Sequence, residues 1–275
     1  MEMNELFEAL WNEYSLMTPS AKKIRRIFED RGETVLNDHI AIRTFNDPRV
    51  NIEVLAAPFK KLGYIEKGEY VFKEKKLFAH HYEHPDHHDA PKIFISELIL
   101  EQCTEDLRRI ITEAIDQIPA SELQNEELLL KGRLWKLSAA AYETLRKESE
   151  YASWMYIFGF CANHFTVFVN ALKSFGSLEE VNSFLKDNGF KLNDAGGEIK
   201  GSAGQLLEQS STIADHAEID FEDGKKSIPS CYYEFARRYP LGNGDLYQGF
   251  IAASADKIFE STDVSLVDRV LSKKI

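Results

Sequence analysis

The amino-acid sequence predicts an α+β fold that contains the same β-α-β-β-β unit twice. The first observation is a pair of strand-like stretches that each begin with a histidine, His39-Ile40-Ala41-Ile42 and His164-Phe165-Thr166-Val167. The second is that an amphipathic helical pattern follows each stretch and ends at a glycine, Gly63 or Gly189, 24 or 25 residues after the histidine. The third is that three strand-like patterns follow each glycine. Repeated order and spacing indicate one unit used twice.

Two helices are expected before the first unit. Residues 4–16 form the first. The second has Thr18 as N-cap and Pro19 at its first position, and Gly32 supplies its end. Its apolar stripe has helical spacing and consists of Ala21, Ile24, Ile27 and Phe28.

The first unit begins with a strand over residues 38–45, where apolar residues alternate with His39, Ala41 and Arg43. A helix follows, whose buried face is expected to consist of Ile52, Leu55, Ala56, Phe59 and Leu62. The remaining strands are expected at Glu69–Phe72, Lys76–Tyr82 and Lys92–Leu98.

Between the units, residues 104–153 have a helical pattern, with Ser138 as one N-cap. The second unit starts with the strand Asn163–Asn170, and its helix carries a capping box at Ser177–Glu180. Its first histidine and last glutamate are further apart than in the first unit, which indicates a longer insertion that includes the hairpin signal Asp223-Gly224. The unit ends with a strand over residues 230–236, and a short helix, Val264–Ser272, closes the chain.

Composition and charge narrow the classes of function. Hydrophobic residues make up 44% of the chain and charged residues 28%, which is typical of a globular protein. The net charge of −12 argues against nucleic acid and anionic membranes as partners. No apolar run approaches 18 residues, and the N-terminus lacks the basic region of a signal peptide. Three cysteines are too few for a disulfide framework, so we expect reducing cytoplasm.

The repeated unit places chemically useful residues at matching positions. Each copy begins with a strand histidine, His39 or His164, and ends with a strand glutamate, Glu97 or Glu234. Two such units that face each other bring two histidines and one or two glutamates to one point. Two imidazoles and a carboxylate that leave coordination positions open suit non-haem Fe(II) and other divalent metals.

Arg43 shares the strand face of His39, because side chains four residues apart on a strand point the same way. Their Cα atoms are roughly 13 Å apart at the usual rise of a strand. A guanidinium there suits the carboxylate of an acid substrate that also contacts the metal. The alternative is that His39 is a hydrogen-bonded structural histidine and Arg43 belongs to an ion pair.

Several ordered motifs carry a resemblance to a known family. The paired units resemble the vicinal oxygen chelate superfamily, in which such modules curl around a metal. The motifs are similar to the family once known as DUF1338, whose members include the 2-oxoadipate dioxygenase/decarboxylase of lysine breakdown. They are Asn37–Phe45, Ile95–Leu98, Asn163–Thr166, Tyr233–Arg238 and Ser254–Phe259.

This resemblance implies an enzyme and a set of roles. It implies Fe(II) held by His39, His164 and Glu234, and a substrate carboxylate held by Arg43. It further implies that Ala253 and Ser254 contact the substrate. The implied reaction converts a 2-oxo diacid, 2-oxoadipate, with O2 to 2-hydroxyglutarate and CO2 in the breakdown of lysine. No obligate protein partner is implied. Glu97 is a candidate for a fourth ligand or for a residue that supports a ligand, and the alternative is an ion pair to Arg43 or another basic residue.

The whole chain, residues 1–275, is expected to form one catalytic domain with a curved, metal-enclosing sheet. Its predicted parts are N-terminal helices (1–36), a first module (37–100), a helical insertion (101–160), a second module (161–240) and a C-terminal segment that completes the pocket (241–275).

Two alternative functions and one further motif remain open. A glyoxalase-like isomerase or lyase would favour a fourth metal ligand at Glu97. A non-catalytic protein that binds a small ligand would not need the metal ligands. The five histidines within His80–His88 predict a solvated loop, although His80 or His81 can reach the pocket from its strand. Arg237 and Arg238 can assist acid binding, with a surface position expected for at least one of them.

Overall fold

The computed structural model describes residues 1–252, 257, 260–262, 267, 270 and 271 of the chain. The predicted helix Val264–Ser272 lies largely outside these residues, as do Ala253 and Ser254.

Two helices precede the sheet, α1 (Met3–Met17) and α2 (Pro19–Asp30). Pro19 starts α2 as predicted, but the Thr18 side chain makes no capping hydrogen bond. Helix α1 packs on the sheet through aromatic rings, because the rings of Trp11 and Tyr14 lie 5.2 and 5.0 Å from that of Phe165. These helices cover one face of the sheet and leave the other for the site.

The first unit has the predicted order. It consists of β1 (Asn37–Phe45), α3 (Ile52–Lys61), β2 (Ile65–Phe72), β3 (Leu77–Glu83) and β4 (Lys92–Leu98). The Asn51 side chain caps α3 by accepting a hydrogen bond from the backbone N–H of Val54. Gly63 has φ +98°, which suits a glycine directly after a helix.

A helical segment separates the two units and contains α4 (Glu105–Ile115), α5 (Ala120–Leu123), α6 (Ala139–Glu148) and α7 (Glu150–Phe158). Ser138 caps α6 as predicted, and Ser149 caps α7. Every residue of α7 after Glu150 is buried. The Tyr151 hydroxyl accepts a hydrogen bond from the Thr44 N–H and donates to the Ser96 carbonyl, so α7 is fixed against β1 and β4.

The second unit repeats the first with a hairpin added. It consists of β5 (Ala162–Phe168), α8 (Leu178–Asp187), β6 (Lys200–Ser202), β7 (Leu207–Ser211), β8 (His216–Phe221), β9 (Gly224–Pro229) and β10 (Tyr232–Arg238). Ser177 caps α8 by accepting from the Glu180 N–H. Strands β8 and β9 pair only with each other among the described strands, so this hairpin is the longer insertion that the sequence predicted.

One curled sheet of eight strands joins the units in the order β2-β3-β4-β1-β5-β10-β7-β6. Within each unit the first and last strands are parallel, and the units meet where β1 and β5 run antiparallel. We call the face that carries His39, Ala41 and Arg43 the inner face. The predicted α+β architecture with two β-α-β-β-β units is confirmed. None of the helices among the described residues has both the length and the apolar character that crossing a bilayer requires.

Candidate metal centre

Three side chains converge on the inner face: His39 from β1, His164 from β5 and Glu234 from β10. Nε2 of His39 lies 3.4 Å from Oε1 of Glu234, and Nε2 of His164 lies 3.2 Å from Oε2. The two Nε2 atoms are 3.4 Å apart, and all three residues are buried. The structure therefore brings together the three residues that the repeat and the resemblance selected.

The strand register explains this convergence. Across the junction of the units, Ala41 of β1 is paired with His164 of β5. Within the second unit, Thr166 of β5 is paired with Glu234 of β10. Because side chains two residues apart share a face, His39, His164 and Glu234 all project from the inner face at neighbouring positions.

His39 is held from behind by a buried ion pair. Its Nδ1 lies 2.8 Å from Oδ1 of Asp38, and Arg238 binds the same carboxylate through Nε at 2.6 Å and Nη2 at 2.8 Å. The Arg238 guanidinium holds the pKa of Asp38 well below its usual range, although burial opposes the charge. An ionised carboxylate only accepts hydrogen bonds, so Nδ1 of His39 carries the proton and Nε2 presents a lone pair to the cluster.

His164 is held by neutral groups instead. Its Nδ1 lies 3.1 Å from Oδ1 of Asn163, and its ring stacks on Tyr232 with 4.7 Å between centroids. With the amide oxygen as acceptor, Nδ1 again carries the proton and Nε2 a lone pair. Both imidazoles are therefore in the tautomer that binds a metal through Nε2.

Glu234 is oriented by one donor. The Gln209 amide donates to Oε1 at 2.6 Å, whereas Oε2 accepts no hydrogen bond from the described residues. Burial raises the pKa of Glu234 to about 8 and lowers the pKa values of His39 and His164. A carboxylate buried with so little compensation is costly unless a cation binds it.

The electrostatics of the cluster fit a divalent cation. Because both Nε2 atoms and Oε2 are acceptors, their lone pairs face one another at 3.2 to 3.4 Å. Among the described residues, the donors that reach the cluster are the Thr166 hydroxyl, 3.0 Å from Nε2 of His39, and the Gln209 amide on Oε1 of Glu234. The raised pKa of Glu234 adds one proton in the metal-free protein. Lone pairs from three buried acceptors repel, and a metal ion at their common point converts that repulsion into coordination.

Arg43 lies on the inner face and is fully buried, but it meets protein partners there. Its Nη1 lies 3.2 Å from Oε1 of Glu150, and its Nη2 donates to the Thr262 hydroxyl at 3.2 Å. The guanidinium sits over the rings of Tyr151 and Trp154, at 4.9 and 5.0 Å. Burial opposes its charge, but the Glu150 carboxylate together with Tyr232 and Tyr151 outweighs this effect, and the pKa of Arg43 is raised. An ion pair is present as the alternative predicted, with Glu150 as the partner.

The prediction for Glu97 is wrong in its geometry. His39 pairs with Lys92 on β4, and His164 pairs with Tyr232 on β10. Glu234 lies two residues after Tyr232, and Phe94 lies two residues after Lys92. Phe94 therefore occupies the position equivalent to Glu234. Glu97 is paired with Thr44 on the opposite face, where it accepts a hydrogen bond from the Ile52 N–H at the start of α3. It is neither a fourth ligand nor a partner of Arg43.

The histidine run divides between strand and loop. His80 and His81 belong to β3, and His81 is buried on the inner face between Tyr70 and Glu83. His84 organises the loop, because its Nδ1 accepts hydrogen bonds from the backbone N–H groups of residues 86 and 87. Residues 85–89 form the exposed loop that was predicted, and His80 and His81 lie on the strand that was predicted for them, from which His81 reaches the inner face.

Sequence reasoning missed the residues that hold the three candidate ligands. Asp38 and Asn163 immediately precede the two histidines, which was a visible signal. Arg238 was considered for acid binding or a surface position, but it is buried and paired with Asp38. Gln209 carried no signal, because its partner Glu234 lies 25 residues away on a neighbouring strand.

Comparison with known proteins identifies the family. A family model described as 2-oxoadipate dioxygenase/decarboxylase matches residues 2–244. The chain belongs to the 2-oxoadipate dioxygenase/decarboxylase family. It is 36% identical over 274 residues to the chloroplastic/amyloplastic 2-oxoadipate dioxygenase/decarboxylase of Oryza sativa subsp. japonica, with 90% of this chain and 75% of that protein covered. The predicted family and the predicted enzyme class are thereby confirmed.

Solved structures agree with this assignment. The hydroxyglutarate synthase of Oryza sativa in complex with 2-oxoadipate superposes with a TM-score of 0.91 at 34% identity, covering 96% of this chain and 93% of that one. A protein of Shewanella frigidimarina described as a candidate hydrolase gives a TM-score of 0.87 at 50% identity, covering 90% and 97%. A glyoxalase superfamily protein of Ralstonia eutropha, at 20% identity and a TM-score of 0.71 over 88% and 83%, supports the fold alone.

Proposed function

We propose that this family member uses Fe(II) to convert 2-oxoadipate and O2 to 2-hydroxyglutarate and CO2. The observation that carries the proposal is the convergence of lone pairs from His39, His164 and Glu234 at one buried point. Two imidazoles and one carboxylate are the donor set of many non-haem Fe(II) oxygenases. When bound, the metal would supply a redox centre for O2 and a template for the 2-oxo acid.

The surrounding residues would keep that centre dry and oriented. Phe250 lies against His39 with 4.9 Å between ring centroids, and Phe94 lies 4.9 Å from Phe250. These rings exclude water from one side of the cluster, which strengthens charge interactions within it. Asp38 and Asn163 hold the two imidazoles in the metal-binding tautomer.

Arg43 is the proposed binding group for a substrate carboxylate. It lies on the inner face with His39, and a buried guanidinium forms strong charge-assisted pairs with carboxylates. The acid would join Glu150 and Thr262 around the same guanidinium. Contacts from Ala253 and Ser254 are part of the proposal through the family resemblance.

The cellular setting is proposed on the same basis. We place the reaction in lysine breakdown in the cytoplasm, with no nucleic acid, membrane or obligate protein partner. The relative from Oryza sativa is named as chloroplastic or amyloplastic. The compartment of this protein is tested by locating it in cells of its source.

The deciding experiment measures the balanced reaction. Protein purified without O2 and loaded with Fe(II) is mixed with 2-oxoadipate while O2 uptake and CO2 release are recorded. We expect one O2 consumed and one CO2 released per acid, with 2-hydroxyglutarate as the product. The diacids one carbon shorter and longer serve as competitors for specificity. Lack of turnover with all three acids in iron-loaded protein would refute the proposal.

Arg43→Lys separates acid binding from metal binding. Lysine keeps the charge but loses the planar fork, so we expect the KM for 2-oxoadipate to rise about 10- to 100-fold. Iron content measured by elemental analysis should stay equal to that of the unmodified protein. An unchanged KM would remove Arg43 from the substrate site while leaving the metal proposal intact.

The glyoxalase-like alternative has lost its main support. A fourth ligand from the first unit would have favoured it, but Glu97 lies on the opposite face and Phe94 occupies the equivalent position. A non-catalytic binding protein would not need two imidazoles and a carboxylate that direct their lone pairs to one buried point.

A further inference from the structure

We infer that Arg238 is a positioning residue for the metal centre, acting on His39 from two sides. This inference rests on the proposed function, because it takes His39, His164 and Glu234 as the ligands. Among the described residues, the Arg238 side chain contacts Asp38, Phe250 and the carbonyl oxygens of Tyr247 and Gly249. It acts through Asp38, which lies at Nδ1 of the imidazole, and through Phe250, which lies against the imidazole ring.

The contact behind His39 is a rigid fork. Arg238 binds both oxygens of Asp38, at 2.6 and 2.8 Å, and Oδ1 of Asp38 lies 2.8 Å from Nδ1 of His39. Asp38 and Arg238 are at most 3% exposed. A carboxylate held at two points cannot rotate, so it fixes the plane of the imidazole as well as its tautomer.

Arg238 also contacts the segment that follows β10, and this segment lies against His39. Nη1 of Arg238 donates to the carbonyl oxygens of Tyr247 and Gly249, both at 2.9 Å. The guanidinium also lies 5.3 Å from the centre of the Phe250 ring, and that ring contacts His39 edge to face at 4.9 Å. One side chain thus anchors the carboxylate behind the imidazole and the segment that covers it.

The equivalent histidine has no such anchor. His164 is held by the amide of Asn163 and by stacking on Tyr232. Among the described residues, no guanidinium binds Asn163 as Arg238 binds Asp38, and Arg238 occupies the last position of β10, the strand that also carries Glu234. A displacement of Arg238 would change the orientation of the His39 imidazole without removing any ligand atom.

The neighbouring residue supplies a matched control. Arg237 lies on the opposite face of β10, half-buried, where it donates to the Gly176 carbonyl and lies over Tyr239. Arg237→Met and Arg238→Met make the same chemical change one residue apart. Only the second removes the anchor of His39.

The test measures binding of Co(II) alone to metal-free protein without O2, with the visible absorption of the bound ion as the signal. We expect Arg238→Met to weaken Co(II) binding about 10- to 100-fold and to shift the absorption bands. Arg237→Met should stay within about twofold. Arg238→Lys, which keeps the charge but not the fork, should recover part of the loss. All dissociation constants refer to the folded fraction measured by circular dichroism.

A second variant protects the test from misfolding. Arg238→Met leaves the Asp38 carboxylate buried without its cation, so the chain can fail to fold. The double variant Asp38→Asn/Arg238→Met removes both charges and keeps an acceptor behind His39. We expect it to fold and still bind Co(II) about tenfold more weakly, because the amide is no longer held at two points. Unchanged affinity in the folded double variant overturns the inference.

His39→Ala separates this inference from the proposed function. If His39→Ala leaves Co(II) binding unchanged, the metal site itself is wrong. If His39→Ala weakens binding and neither Arg238 variant does, the metal site stands and the positioning role of Arg238 is refuted.

Discussion

His39 and His164 occupy equivalent positions in the two units, yet their outer nitrogens meet different partners. Behind His39 lies a buried carboxylate bound by a buried guanidinium. Behind His164 lies a neutral amide, with a tyrosine ring alongside. The repeated unit therefore conserves the position of the ligand and not the means of holding it.

The last strand of each unit, which pairs with the strand of the histidine, also differs between the units. The second unit places Glu234 two residues beyond the partner of its histidine, whereas the first unit places Phe94 there. One unit supplies a nitrogen and a carboxylate, and the other supplies a nitrogen and an apolar wall. This division leaves three candidate ligands, and a metal held by three protein groups would keep coordination positions free for the proposed substrate and O2.

Glu234→Ala should give the largest difference between the two units in metal binding. Removing a candidate ligand leaves two imidazoles, and we expect Co(II) affinity to fall more than about 100-fold, beyond the loss typical for residues that only support a ligand. Glu97→Gln is the comparison variant in the first unit and should leave the affinity unaltered, because it only exchanges the acceptor for the Ile52 N–H on the opposite face. Isothermal titration of both metal-free variants measures this difference. A larger effect from Glu97→Gln would reverse the assignment of the two carboxylates.

The free energies of unfolding of two variants measure how differently Asp38 and Asn163 hold their histidines. Asp38→Asn leaves Arg238 buried without a countercharge, which should lower the free energy of unfolding of the metal-free protein by about 3–5 kcal/mol. Asn163→Ala removes a neutral hydrogen bond and should cost only about 1–3 kcal/mol. Urea unfolding followed by circular dichroism gives both values. Equal costs would mean that the ion pair contributes no more than the amide.

Hydrophobic periodicity and spacing were sufficient to predict the architecture. The histidine-to-glycine spacing located both units, and the extra length of the second unit corresponds to the β8–β9 hairpin. The expected strands and helices follow patterns of period two or 3.6, which local sequence records directly. The sequence could not show that β1 and β5 join the units, because strand order depends on contacts between distant residues.

The site was predictable where equivalent positions are separated by similar lengths of chain. His39 and His164 met that condition, because each lies 24 or 25 residues before its glycine, whereas Glu234 was predicted from its place on the last strand and from the family resemblance. Glu97 was chosen as the counterpart of Glu234 by its place at the end of a strand, and the error was one of register: an odd shift in pairing moves a side chain to the opposite face. Gln209, Glu150 and Arg238 reach the site from separate elements, so their contributions depend on tertiary contacts.

The smallest predicted effect concerns pH and tests whether the carboxylate differs from the two imidazoles. Burial raises the pKa of Glu234 to about 8 and lowers the pKa values of His39 and His164. Between pH 6.5 and 8, therefore, the metal-free protein holds a proton on Glu234 and none on either imidazole. Metal binding must release that one proton, so the apparent affinity should rise about tenfold per pH unit in this range and level off above pH 8. Co(II) titrations in buffers of constant ionic strength measure this slope. Glu234→Gln has no proton to release there and should bind weakly with a flat profile, whereas a slope retained in that variant would assign the proton to a histidine.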